Sequence, residues 1–257
     1  MKIAITGKGG VGKTTLAASL AHTFVELGYS VIAVDADPDS NLAATLGYPH
    51  PETIIPLVEM KDLIEERTGA KTGSLGALFK LNPSVDDLPE KLWKVHNGIK
   101  LMAMGTVKKG GSGCVCPESI LLRVLIQHLL LDRNEVIILD MEAGIEHLGR
   151  GTAKAVDLLL IVVEPGKRSV ETAYRIKELA GHLGLKKIGV IGNKVRNEEE
   201  KNFLKENLGD FTLLGFIPYS LRIVDGYQRD LVPWLASDEL YQEVKKIAIE
   251  LKKNWGG

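Results

Sequence analysis

Read for its pattern of apolar and polar positions, the chain repeats one unit: a short, mostly apolar run, a turn, then a stretch with apolar residues three to four apart. The apolar runs are Ile3 to Thr6, Val31 to Val34, Ile99 to Met104, Val136 to Leu139, Asp157 to Val163 and Lys187 to Ile191. Continuous rather than alternating apolar character marks strands covered on both faces. The stretches with helical spacing include Leu16 to Val25, Leu57 to Arg67, Ile120 to Leu131 and Ser169 to His182. A last helix capped by Ser237 carries Leu240, Val244, Ile247 and Leu251 on one face. The predicted class is α/β, a mostly parallel central sheet with helices on both faces.

The first junction carries the chemistry. Gly7-Lys8-Gly9-Gly10-Val11-Gly12-Lys13-Thr14-Thr15 follows the first strand and opens the first helix. This fits G-x-x-x-x-G-K-[ST], in which backbone N–H groups from Gly9 to Thr15 turn onto phosphates, Lys13 reaches the β- and γ-phosphates and Thr14 ligates Mg²⁺. Gly7, Gly9 and Gly12 also spell G-x-G-x-x-G, the dinucleotide pattern, with Asp35 placed for a ribose. A dinucleotide has no use for Lys13 and Thr14, so a nucleoside triphosphate is the expected ligand.

Acids stand at the carboxyl ends of two later strands, the end that faces the ligand crevice in such sheets. One group is Asp35-Ala36-Asp37-Pro38-Asp39-Ser40-Asn41, where Asp37 and Asp39 also suit turn or helix caps. The other is Asp140-Met141-Glu142-Ala143-Gly144, with His147 just beyond. Asp140 is the acid expected beside Mg²⁺ without being a direct ligand, and Gly144 can bend towards a γ-phosphate. Between residues 48 and 110 the alternation weakens, with prolines at 49, 51, 56, 83 and 89. The chain is therefore read as one domain, 1–257, with an insertion at about 48–110 on the nucleotide face.

Both cysteines fall in Gly113-Cys114-Val115-Cys116-Pro117. In extended backbone, residues two apart project to one side, so the sulfurs can converge on one ion. Pro117 suits the first helical position, which makes Cys116 an N-cap where the dipole favours thiolate. Two thiolates leave a soft cation short of its usual four ligands. A redox pair and two structural cysteines remain as other readings.

Composition bounds the rest. A chain of 257 residues with 45% apolar residues and a formal charge of −1 has no basic excess that would point to nucleic acid. No apolar run approaches the ~20 residues needed to span a bilayer. The last helix is amphipathic enough to lie on a membrane, but docking on a sheet is the commoner use. With the first strand expected from residue 2, no leader is expected, and the location read from this is cytoplasmic.

KGGVGKTT resembles the deviant Walker A loop of the MinD/ParA/nitrogenase-iron-protein class. Together with DADPDSN, GSGCVCPES, DMEAGIEHLGRGT and IGNK, it makes the chain similar to the CooC-type ATPases that insert nickel during maturation of carbon monoxide dehydrogenase. The resemblance implies an ATP-hydrolysing homodimer that passes between ATP and ADP states, with Lys8 reaching the partner's nucleotide. It implies that Asp37 orients the attacking water, with Asp35 closer to Mg²⁺. Asn193, Lys194 and Pro218 are then the base-contacting residues. It also implies Ni²⁺, or Zn²⁺ in its place, held by Cys114 and Cys116 of both chains on the two-fold axis, and carbon monoxide dehydrogenase as the client. Two other functions fit the class: an iron–sulfur reductase resembling the nitrogenase iron protein, and a ParA/MinD-like positioning ATPase.

Overall fold

The structure is a computed structural model that describes residues 1–37, 40–71, 78–105, 116–132, 135–142, 145, 153 and 155–255. Eight strands form one sheet: β1 (Lys2–Gly7), β2 (Val31–Ala36), β3 (Lys94–His96), β4 (Ile99–Ala103), β5 (Val136–Met141), β6 (Leu158–Val163), β7 (Ile188–Val195) and β8 (Thr212–Pro218). Their order across the sheet is β3-β4-β2-β5-β1-β6-β7-β8. All pairings are parallel except β3 with β4. The expected class is thus the observed one. The stretch between 48 and 110 supplies β3 and β4, the two outermost strands on one side of the sheet, and β4 pairs along the whole of its length with β2.

The helices in chain order are α1 (Lys13–Glu26), α2 (Leu42–Thr45), α3 (Lys61–Thr68), α4 (Leu88–Leu92), α5 (Pro117–Asp132), α6 (Lys167–Leu183), α7 (Glu198–Asn207), α8 (Leu221–Tyr227), α9 (Pro233–Ala236) and α10 (Asp238–Trp255). Because side chains alternate along a strand, each strand feeds two cores. Ile3, Ile5, Ala33, Ile138 and Leu160 pack on one face against Leu16, Leu20 and Phe24 of α1 and Val244, Ile247 and Leu251 of α10. Ala4, Ile32, Val34, Leu139 and Ile161 pack on the other against Leu121, Leu125 and Leu129 of α5 and Ala173 and Ile176 of α6. The apolar stripe of α10 is therefore spent on the sheet, and Ser237 Oγ accepts from Leu240 N at 3.3 Å at its start. Among the described residues no helix is long and apolar enough to cross a membrane.

The order reverses at β1: α1 leads from it to β2 on one side, while β6 lies on the other. Such a switch point leaves a crevice beyond the carboxyl ends of the strands. Gly7, Asp35, Asp140 and Glu164 all stand at that edge.

Candidate functional site

The loop from Gly7 to Gly12 is shaped by its glycines. A Cβ at Gly7 would overlap the Val162 carbonyl oxygen, so β1 lies against β6 only with glycine there. Gly12 is left-handed at φ 97° and caps α1 on its N-terminal side. The first turn of α1 holds no acidic side chain, so its N–H groups and dipole are open to an anion. Lys13 opens that turn and is 7% exposed.

Behind the loop stands β7. Asn193 Nδ2 donates to the Val11 carbonyl at 2.7 Å, and Lys194 Nζ donates to the Gly10 carbonyl at 2.6 Å. A trans peptide points its C=O and N–H in opposite directions, so tying these carbonyls to β7 aims the following N–H groups the other way. Gly192-Asn193 is turn chemistry by composition, but no turn forms there. The strand runs through them with a register shift, and Lys194 takes φ 58°. Val195 pairs with Pro218, which brings the two segments expected at the base side by side. A Cβ at Gly12 would meet Asn193 Nδ2 as well as a strained φ. Gly12→Ala is expected to destabilise the protein by about 2 kcal/mol or more and to lower its midpoint in urea titration.

The acids differ in what they bind. Asp35 pairs in register with Asp140 across β2 and β5. Its two oxygens accept from Asp37 N at 3.2 Å and Leu42 N at 3.0 Å, so it shapes the turn into α2. Burial pushes its pKa up to about 6, held back by those two bonds. Asp140 is fully buried, and among the described residues neither oxygen meets a donor in good hydrogen-bond geometry. Its pKa is pushed up to about 7, first by burial and then by Asp35 and Asp37, while the Thr14 hydroxyl and Lys13 pull it down. An orphaned buried carboxylate facing the phosphate-loop threonine is the pattern that a bound Mg²⁺, with its ligand waters, would complete. Thr14 would hold the ion and Asp140 the waters around it. Asp37 is half-buried, with its carbonyl accepting from Ser40 N at 3.2 Å.

Two lysines converge on one acid that strand-and-loop reading passes over. Glu164, at the end of β6, lies 3.4 Å from Lys8 Nζ and 3.9 Å from Lys194 Nζ. Its own N–H donates to Ser169 Oγ at 3.1 Å. Lys8 is thus held within its own chain, on the exposed rim of the loop. The signal was an acid closing a core strand beside a phosphate loop. Cys116 stands just before α5, where its carbonyl accepts from Ile120 N at 3.1 Å and its Sγ lies 3.1 Å from Ser119 Oγ. It is a free, half-buried thiol. Cys114, Pro38, Asp39, Gly144 and His147 lie outside the described residues.

The chain is 55% identical to an uncharacterized ATP-binding protein of Methanocaldococcus jannaschii, over 87% of each chain. It is 51% identical to the carbon monoxide dehydrogenase accessory protein CooC of Rhodospirillum rubrum, over 87% of this chain and 85% of that one. Among solved structures, a chain of the MinC:MinD cell division protein complex of Aquifex aeolicus superposes with a TM-score of 0.71 at 24% identity, over 98% of this chain and 95% of that one. At that identity the match speaks for the fold. The family described as the CobQ/CobB/MinD/ParA nucleotide binding domain matches residues 2–234. With a family model over residues 2–234 and a relative 51% identical over most of both chains, the chain belongs to the CobQ/CobB/MinD/ParA family of P-loop ATPases, alongside the CooC-type accessory proteins.

Proposed function

We propose that this ATPase is a metallochaperone: it dimerises on ATP or metal binding, carries Ni²⁺ between the paired Cys114 and Cys116 of two chains, and delivers it to carbon monoxide dehydrogenase in the cytoplasm. The hydrolytic half is carried by one observation, the buried Asp140 carboxylate that faces Thr14 behind the phosphate loop and, among the described residues, meets no donor in good hydrogen-bond geometry. Bound Mg²⁺ would supply charge neutralisation at the β- and γ-phosphates. The chain's own residues do the rest. Backbone N–H groups of the loop and Lys13 bind the phosphates, Asp37 orients the attacking water, and Asn193 with Pro218 borders the base. Asn193 Nδ2 is committed to Val11, which leaves its amide oxygen to accept from the adenine amino group.

The metal half is supported by the 51% identical accessory protein and by the chemistry of the donors. Cys116 stands just before α5, and a two-fold axis would turn one C-x-C into four sulfurs. Soft thiolates admit Zn²⁺ in nickel's place. Closure on ATP and metal capture would then be linked, each tightening the other.

Metal content tests this. Purified protein loaded with Ni²⁺ or Zn²⁺ is expected to hold one ion per two chains and to run as a dimer on gel filtration. Cys114→Ser and Cys116→Ser should each lose the ion. One ion per single chain, or a monomer under every combination of ATP and metal, would remove the shared site.

A further inference from the structure

A further polar contact reaches the start of α1 from far along the chain. Tyr227, at the end of α8, places its hydroxyl 2.6 Å from Thr15 Oγ1 in the first turn of α1. The tyrosine is held there by its surroundings. A Cβ on Gly226 would come within 2.8 Å of Ala236 Cβ, so α8 lies close against α9. In α9, Trp234 stacks on His22 of α1 with ring centroids 4.3 Å apart and planes 8° from parallel. The Gly226 carbonyl accepts from the N–H groups of Arg229 and Leu231, both at 2.9 Å, which closes the turn between the two helices. The α8–α9 unit therefore rests on α1 through two aromatic side chains, Tyr227 on the Thr15 hydroxyl and Trp234 on His22.

Without a ligand, either hydroxyl can donate in this pair. An anion removes that freedom. A phosphate oxygen at the helix start only accepts, so Thr15 must donate to it, and Thr15 Oγ1 is then left to accept from Tyr227. Burial keeps the phenol protonated, with its pKa raised and only partly offset by the Thr15 bond. Hydrogen bonds aligned in series, ending on a charge, polarise one another.

We propose that Tyr227 is a positioning residue for the nucleotide, donating to Thr15 so that the threonine proton is turned onto a phosphate of a bound nucleoside di- or triphosphate. This rests on the phosphate-loop reading of Thr15, and it adds α8 to the parts of the fold that sense whether the loop is filled.

The test is a four-way comparison of ADP affinity by titration: wild type, Thr15→Val, Tyr227→Phe and the double variant, with Thr15→Ser as the conservative control. Phenylalanine keeps the ring and its packing. Tyr227→Phe is expected to weaken ADP binding about three- to tenfold, to add almost nothing in the Thr15→Val background, and to cost as much in Thr15→Ser as in wild type. A purely structural tyrosine would give the same loss with and without Thr15, and that additive result, or an unchanged affinity, would overturn the proposal. If Thr15→Val itself binds ADP as wild type does, the phosphate role of Thr15 falls, and the tyrosine's with it.

Discussion

Asp140→Asn is expected to raise the thermal midpoint of the nucleotide-free protein at pH 8 while cutting Mg²⁺-dependent ATP hydrolysis by about a hundredfold. The two effects have one cause. A carboxylate that is fully buried, with no hydrogen bond of good geometry among the described residues, is costly to ionise, and burial is the main reason its pKa stands at about 7 in the folded chain. An unfolded chain ionises the same group near its ordinary value of about 3.9. A folded-state pKa above the unfolded one means the native state binds the extra proton, so stability from this group is greatest in acid. It is lost as pH rises through about 7. Asp35, with its pKa at about 6, titrates in the same direction over a similar range.

Asparagine removes the charge and keeps the shape. The gap between variant and wild type should open from about pH 4, widen to about pH 7 and stay flat beyond. Allowing for relaxation and water entry, about 2 kcal/mol at pH 8 is expected, or a shift of about 4–8 °C for a chain of this size. Mg²⁺ with nucleotide should stabilise the wild type far more than the variant, because the ion and its waters supply the partners the carboxylate lacks. Scanning calorimetry at pH 5 and pH 8 decides it. A variant that melts lower than wild type at pH 8 would mean the carboxylate is already satisfied by the protein.

Much of this site was legible in the sequence because its parts are local. The phosphate loop, the acids closing β2 and β5, and the apolar face of α10 are each contained in a short window, and periodicity or glycine spacing reports them directly. What escaped is non-local or bends a local rule. Gly192-Asn193 reads as turn chemistry, yet β7 continues through it, because the register shift against β8 and the left-handed Lys194 let the strand aim the Asn193 and Lys194 side chains back at the loop. Glu164 closes a strand, and only the pairing of β1 with β6 sets it opposite Lys8. Tyr227 meets Thr15 across 212 residues, and no window of sequence can report such a contact. Edge strand β3 is three residues long and mostly exposed, with too little pattern to detect.

Lys8→Ala and Asp37→Ala should each lose about a thousandfold in ATP hydrolysis, and mixing the two inactive proteins should restore about a quarter of the wild-type rate. If Lys8 serves the partner's nucleotide while Asp37 serves its own, a mixed dimer holds one complete site: the one in the Lys8→Ala chain, which keeps its own Asp37 and receives Lys8 from its neighbour. Random pairing makes about half the dimers mixed, each with one working site of two. For the lysine to cross, it must leave Glu164, and that contact is weak enough to allow it. The pair is 3.4 Å apart with side chains 40% and 31% exposed, a geometry that stabilises by about 1 kcal/mol or less. A phosphate in a closed, water-poor interface offers a cation much more. Glu164 would then keep Lys194 as its counter-ion, since that lysine stays tied to Gly10. If both lysine and aspartate acted in one chain, the mixture would stay as inactive as its components, because the Lys8→Ala chain would still lack its lysine and the Asp37→Ala chain its acid.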